Sequence, residues 1–247
     1  MQRPIGRGII FRLQQRRLNK PDIRVIIPAF NEQNAVSLVV DEIPKDLVSE
    51  IIVVDNGSND NTYEQAKKAG ATALKETRRG YGQACLKGMD YISYGDSKPD
   101  IIVFLDGDHS DYPSQMADLI KPIIEKNIDL VIGSRALGQK EKGSMTPQQI
   151  FGNWLATGLI KLFYGVTYTD LGPFRAIKYD SLLAIDMQDT NYGWTVEMQL
   201  KAAKLNMKIL DVPVDYRQRI GISKVSGTLK GTIMAGYKII FTIFRYL

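Results

Sequence analysis

Two carboxylates one residue apart, Asp106 and Asp108, stand at the end of a run that reads as a buried strand. Ile101-Ile102-Val103-Phe104-Leu105 is continuously apolar and β-rich, the pattern of a central strand covered on both faces. In open α/β sheets, ligands bind beyond the C-terminal ends of such strands. Two like charges held this close are unfavourable unless a cation joins them. Hard ions such as Mg2+ or Mn2+ take carboxylate and phosphate oxygens together. The pair therefore predicts a divalent cation and a phosphate-bearing substrate. The competing role, capping a helix near Pro113, makes no use of two charges at a strand end.

Two further polar turns fall at strand ends. Pro28-Ala29-Phe30-Asn31-Glu32 closes a strand over Arg24 to Pro28, and Asp55-Asn56-Gly57-Ser58 closes one over Ile51 to Asp55. Three polar turns on one sheet edge make a nucleotide cradle. No Gly-x-Gly-x-x-Gly follows the first strand and no Gly-x-x-x-x-Gly-Lys-Ser/Thr occurs, which argues against dinucleotide-binding and P-loop arrangements.

The elements that must position these turns alternate in type. Strands are expected at 24–28, 51–55, 71–75, 101–105 and 130–133, and helices at 32–43, 62–69, 81–94 and 113–125. This order predicts an α/β protein with a mainly parallel, Rossmann-like sheet between helical layers. Residues 137–146 are polar and glycine-containing, and read as a mobile loop beside the metal edge. Beyond Pro147, Ile150, Phe151, Trp154, Leu155, Leu159, Leu162 and Phe163 recur at helical spacing, most simply as core, alternatively as an interfacial helix. Ile233, Met234, Tyr237, Ile240, Phe241, Phe244 and Leu247 share one face of a terminal helix, with Lys230, Lys238 and Arg245 on the other. Charges interrupt that run too often for a membrane span, leaving a helix in a membrane interface or one packed on a protein surface.

The net charge is +5, and its distribution is uneven. Residues 1–20 hold Arg3, Arg7, Arg12, Arg16, Arg17 and Lys20 with no acid. Residues 217–247 hold Arg217, Arg219, Lys224, Lys230, Lys238 and Arg245, again with no acid. Basic ends on an acidic body favour anionic headgroups or phosphates. Nucleic acid is disfavoured, because no base-stacking aromatic pattern is interleaved. Cys85 is the single cysteine, which excludes an internal disulfide and fits a reducing compartment. The start lacks the apolar core of a signal peptide. The expectation is a cytoplasmic protein, peripheral at the inner face of a membrane, organised as a basic segment 1–21, a main domain 22–228 and an amphipathic helix 229–247.

Taken in order, Pro-Ala-Phe-Asn-Glu, Val-Asp-Asn-Gly-Ser and the Asp-x-Asp strand end resemble family 2 glycosyltransferases of the GT-A fold. The nearest likeness is to the dolichyl-phosphate mannose synthase and polyprenyl-phosphate glycosyltransferase branch, over roughly residues 22–228. By that resemblance, Pro28, Ala29, Phe30 and Glu32 contact base and ribose, and Asp55 with Gly57 bonds the base. Arg79, Gly80 and Gly82 lie along the nucleotide, where glycines permit close backbone approach. Asp106, Gly107 and Asp108 hold the metal on the diphosphate. Arg135 lies near the transfer centre, Asp170 and Arg175 bound an acceptor-side turn, and Arg219, Ser223 and Lys224 clamp phosphates. Two positions depart from the pattern. Ser110 stands where a third metal ligand, Gln, is usual, with Asp111 as a substitute, and Gly172-Pro173 replaces the more usual Ser-Gly.

The resemblance implies an inverting transfer of one sugar from a UDP- or GDP-sugar to a polyprenyl phosphate. The absence of Gln-x-x-Arg-Trp favours single-sugar transfer over processive synthesis. An anionic lipid phosphate attacks without deprotonation, whereas a hydroxyl acceptor needs a general base, for which Asp170 and Glu197 are the candidates. His109 is expected to face outward from its loop and Cys85 to be buried and inert. A family 2 enzyme with a hydroxyl acceptor, a nucleotidyltransferase and a non-catalytic nucleotide-sugar module are the alternatives.

Overall fold

In the computed structural model, residues 20–222 and 229–247 are described. The basic stretch 1–19 and the phosphate-clamp candidates Ser223 and Lys224 lie outside the described residues. The elements run β1 (Ile23–Ala29), α1 (Val36–Glu42), β2 (Glu50–Asp55), α2 (Thr62–Lys68), β3 (Thr72–Lys75), α3 (Tyr81–Ser93), β4 (Ile101–Phe104), α4 (Met116–Lys126), β5 (Leu130–Ser134), α5 (Pro147–Tyr164), β6 (Arg175–Lys178), α6 (Tyr179–Ile185), α7 (Trp194–Lys204), β7 (Ile209–Pro213) and α8 (Leu229–Arg245). One sheet has the order β3-β2-β1-β4-β6-β5-β7. All its neighbours pair in parallel except β6, which is antiparallel to both β4 and β5.

Alternate side chains of the central strands feed two apolar cores. Ile26, Ile52, Ile102 and Phe104 pack with α3, α5 and α7, whereas Val25, Ile27, Val53 and Val103 pack with α1, α2 and α4. Cys85 lies fully buried in the first of these cores, as expected, and burial pushes its thiol pKa up. The near-continuous Ile/Val runs follow from burial on both faces. Their polar ends, β1 to Ala29, β2 to Asp55 and the turn after β4, project from one edge of the sheet.

The structure departs from the sequence reading in four places. The first helix starts at Val36, not at residue 32. The backbone of residues 31–33 instead bonds across to the turn after β2: Asn31 N–H donates to Ser58 Oγ at 2.9 Å and Glu32 N–H to Thr62 Oγ1 at 2.8 Å. The helix expected from Pro113 opens with a single 3-10 turn, Pro113–Gln115, before α4, and neither Asp106 nor Asp108 caps it. His109 does not face outward: its ring bonds Glu42 Oε1 at 2.8 Å.

The fourth difference concerns α5. A capping box at Thr146, with Pro147 in the first turn, starts this helix. Its apolar residues are mostly not core: Ala156 and Ile160 pack inward, while Ile150, Phe151, Trp154, Leu162 and Phe163 are exposed. The outer face of α8 matches it, with Ile233, Met234, Tyr237, Phe241, Phe244 and Leu247 exposed and Thr242 and Ile243 buried. The two helices touch, Phe163 meeting Phe244 edge-on with ring centroids 5.4 Å apart. Among the described residues, no helix is long and apolar enough to cross a membrane.

Candidate functional site

The polar strand ends converge on one cleft of about 360 Å³. Of the residues singled out in the sequence, Pro28, Ala29, Phe30, Glu32, Arg79, Gly80, Asp106, Gly107, Asp108 and Arg219 line it. Asn56, Tyr81, Ala84, Asn191 and Tyr192 line it as well.

Its floor is acidic. Among the described residues, Asp106 Oδ1 and Asp111 Oδ1 are buried with no hydrogen bond of good geometry, although the Tyr81 hydroxyl interacts with the Asp106 carboxyl and draws its pKa down. Burial first, then the neighbouring Asp108 and Asp111, pushes the Asp106 carboxyl well above the usual carboxylate range. Asp111 is pushed up to about 7, again by burial first and then by Asp108. Asp108 is better satisfied: its Oδ1 accepts from Ser110 N–H at 2.9 Å and Ser110 Oγ at 2.5 Å, and Arg219 lies 3.1 Å from its Oδ2. Among the described residues, no three His, Cys, Asp or Glu side chains are grouped so as to hold a metal ion by themselves. An ion that keeps waters and substrate phosphates needs only one or two carboxylates from the protein. The orphaned oxygens of Asp106 and Asp111 beside Asp108 fit that demand.

A strap from β7 covers this floor. Arg217 N–H donates to Ser110 O at 3.0 Å and Ile220 N–H to Asp108 O at 3.0 Å, which carries Arg219 over the acids and onto Glu32 Oε1 at 2.5 Å. Arg217 anchors the strap: it grips Glu42 with both terminal nitrogens, at 3.2 and 2.7 Å, donates to His109 O at 2.6 Å and stacks on Tyr112 at 4.4 Å. The opposite wall is built on Asn56. Its side chain donates to Glu76 O and Arg78 O and accepts from Gly80 N–H at 2.8 Å, while Arg79 stacks over Phe30 at 4.0 Å.

Asn191 and Tyr192 were invisible as site residues. They arrive because two glycines let another segment press on α3. A Cβ on Gly80, whose φ is +143°, would sit 2.1 Å from Thr190 O, and one on Gly82 would sit 2.0 Å from Asp189 O. The only available signal was the glycine pair flanking Tyr81, which announces a close approach without naming its partner.

The remaining candidates stand outside the cleft lining. Asp55 is buried and accepts Ser58 N–H at 3.0 Å, and Gly57 turns the chain at φ +71° beside Arg79. Arg135 and Asp170 form a bidentate pair at 2.8 and 2.7 Å, with Arg135 N–H adding a third bond at 2.8 Å. Burial alone would raise the Asp170 carboxyl, but Arg135 outweighs it and holds the pKa below the usual range. Arg175 is fully buried under the sheet edge, donating to the carbonyls of Thr195, Leu171 and Gly172, and burial lowers its pKa. Glu197 is also fully buried; it accepts from the backbone of Gln188 and Asp189, pairs with Lys201 at 2.8 Å and accepts the Tyr246 hydroxyl at 2.6 Å.

An acid-floored, arginine-roofed cleft at the C-terminal edge of a doubly covered sheet defines a nucleotide-handling α/β protein. The model of the family described as glycosyl transferase family 2 matches residues 24–185, and the chain belongs to that family. It is a glycosyltransferase with the GT-A fold. It is 30% identical over 226 residues to an undecaprenyl-phosphate mannosyltransferase of Micrococcus luteus, covering 85% of this chain and 89% of that one. It is 30% identical over 244 residues to a UDP-N-acetylglucosamine–dolichyl-phosphate N-acetylglucosaminyltransferase of Methanococcus voltae, covering 90% and 94%. Its fold is similar to that of glucosyl-3-phosphoglycerate synthase from Mycobacterium tuberculosis, solved with Mn2+, UDP and phosphoglyceric acid. That match has a TM-score of 0.73 at 21% identity and covers 99% of this chain and 84% of the other. Among its relatives, the chain resembles the polyprenyl-phosphate sugar transferases.

Proposed function

We propose that this enzyme transfers one sugar, with inversion, from a UDP- or GDP-linked donor to a polyprenyl phosphate at the inner face of a membrane. The observation that carries the reading is the pair of orphaned buried oxygens, Asp106 Oδ1 and Asp111 Oδ1, set beside Asp108 and beneath Arg219 in one cleft. Asp106 and Asp108 would hold Mg2+ or Mn2+, which when bound supplies positive charge against the departing nucleoside diphosphate. Arg219 supplies a second cation at the same edge, placed before the reaction by Glu32 and the strap. Phe30 and Arg79 form a flat platform on which a base can stack. Displacement from the face opposite the leaving diphosphate inverts the anomeric carbon.

The two carboxylates proposed as general bases for a hydroxyl acceptor are both buried and fully engaged, Asp170 by Arg135 and Glu197 by backbone, Lys201 and Tyr246. That favours an acceptor already anionic near neutral pH, which needs no base. The names of the Micrococcus and Methanococcus relatives carry the same chemistry. The exposed apolar faces of α5 and α8 offer a surface for a lipid phase.

The test is a panel of labelled UDP- and GDP-sugars with Mn2+ or Mg2+ and polyprenyl phosphate, counting label that moves into the organic phase. Metal-dependent transfer that Asp108→Asn abolishes is the expected result. Donor bound or slowly hydrolysed with no organic-phase label overturns the acceptor assignment.

A further inference from the structure

Helix α8 and the residue that follows it reach the wall of the cleft through two polar joints. Lys238 Nζ lies 2.8 Å from Asp189 Oδ2, and the other oxygen of Asp189 accepts Asn191 N–H at 2.8 Å and Gly193 N–H at 3.1 Å. Contact here is so close that a Cβ on Gly193 would fall 2.5 Å from Asp189 Oδ2 and 2.7 Å from Thr242 Oγ1 of α8. A second joint lies near the end of the chain. The Tyr246 hydroxyl donates to Glu197 at 2.6 Å, and Glu197 in turn accepts Asp189 N–H at 2.6 Å. The segment held by both joints presses its Asp189 and Thr190 carbonyls onto Gly82 and Gly80, and Gln83 N–H donates to Thr190 O at 2.9 Å. The next two residues, Asn191 and Tyr192, line the cleft together with Arg79 and Asp106.

We infer that Lys238, acting through Asp189, and Tyr246, acting through Glu197, are positioning residues that set the Asn191–Tyr192 wall for nucleotide binding; the inference rests on the reading of this cleft as the donor site. Asp189 is a buried charge, and such a charge is tolerated only while paired and hydrogen-bonded. Without Lys238 its carboxylate has to turn toward water, and the turn of Asn191 and Gly193 is tied to its other oxygen. Neither positioning side chain lines the cleft, so their effect is on the wall and not on the ligand directly. Glu197, a catalytic candidate by sequence, becomes part of this support.

The experiment measures UDP and GDP binding with Mn2+ by calorimetry on the full chain, alongside thermal unfolding. Lys238→Met keeps the stem and removes the charge. It is expected to raise Kd for the bound nucleotide at least about fivefold, the low end of ordinary coupling between sites, and Lys238→Arg to restore most of that loss. Tyr246→Phe removes one hydroxyl and should weaken binding in the same direction by less; it is the variant to read if Lys238→Met unfolds. A folded Lys238→Met that binds as tightly as the parent, or an unchanged Kd in Tyr246→Phe where Lys238→Met has unfolded, overturns the inference and leaves the donor site standing. A parent protein that binds neither nucleotide overturns both.

Discussion

The cleft and the outer face of α5 and α8 are each incomplete, in opposite senses. In the cleft, charge is short of partners: Asp106 and Asp111 each hold a buried oxygen that makes no hydrogen bond of good geometry among the described residues. On the helices, apolar surface lacks cover: Trp154 is 67% exposed and Leu162 74%. Burying a bare carboxylate and exposing a large apolar patch are both unfavourable, and under the proposed function each would be relieved by something outside the chain, a cation in one case and a nonpolar phase in the other. The rest of the sheet edge shows what completion looks like. Asp170 and Glu197 are more deeply buried than Asp106, yet every oxygen is met. Incompleteness, more than burial or residue type, separates the surfaces that await a ligand from those that hold the fold.

The largest effect should come from the incomplete cleft. Asp108→Asn is expected to lower sugar transfer on the order of a thousandfold, because several kcal/mol of charge stabilisation disappear with the ion. Organic-phase label measured against the parent checks it. A variant that keeps its rate would show that the acidic floor does not serve the reaction.

The satisfied carboxylate should behave differently. Asp170→Asn leaves Arg135 buried without its counter-charge and is expected to cost about 3 kcal/mol of stability at neutral pH. Because Arg135 lowers the folded pKa of Asp170, that contribution is present above the unfolded value of roughly 3.9 and fades as pH falls through the folded one. Denaturant unfolding of parent and variant at neutral and acid pH reads this directly. An equal gap at both pH values would refute the ion pair as its source.

The strand-end turns were legible because an apolar run that stops abruptly on Asn or Asp leaves few alternatives: the runs of β1, β2 and β4 give way to polar turns at Asn31, Asp55 and Asp106. The antiparallel β6 was not, since Arg175–Lys178 is four residues long and half of it is basic. Asp170, Arg175 and Glu197 show the limit for single residues, because a polar side chain beside a turn reads alike whether it meets a substrate or a buried partner. Helical periodicity has its own limit. It put Phe151 and Trp154 on one face of α5, and Tyr237 and Phe241 on one face of α8, but a face has no sign until packing shows which side is in. In both helices small or few residues, Ala156 and Ile160 or Thr242 and Ile243, make the inward contact.

That outward face gives the next prediction. Phe151→Glu with Trp154→Glu should reduce binding to anionic vesicles about a hundredfold, from roughly 3 kcal/mol of lost apolar burial, with nucleotide affinity unchanged. Co-sedimentation with vesicles checks it, and undiminished binding would assign the attachment to another surface.

The smallest effect is the one that separates the two kinds of buried acid most sharply. Asp106 has a folded pKa above its unfolded value, for reasons of burial first and of Asp108 and Asp111 second. Its penalty is therefore absent below the unfolded pKa of roughly 3.9 and grows as pH rises above it. Asp106→Asn removes that penalty, so without divalent ions the variant should be more stable than the parent at neutral pH, by about 1 kcal/mol, and no more stable near pH 4. Added Mn2+ should raise the melting temperature of the parent and leave that of the variant where it is. The sign is opposite to that expected for Asp170→Asn, although both changes replace a buried Asp by its amide. A loss of stability in Asp106→Asn at neutral pH would mean that the carboxylate already has a partner in the protein, and the cleft would lose its claim to be the incomplete region.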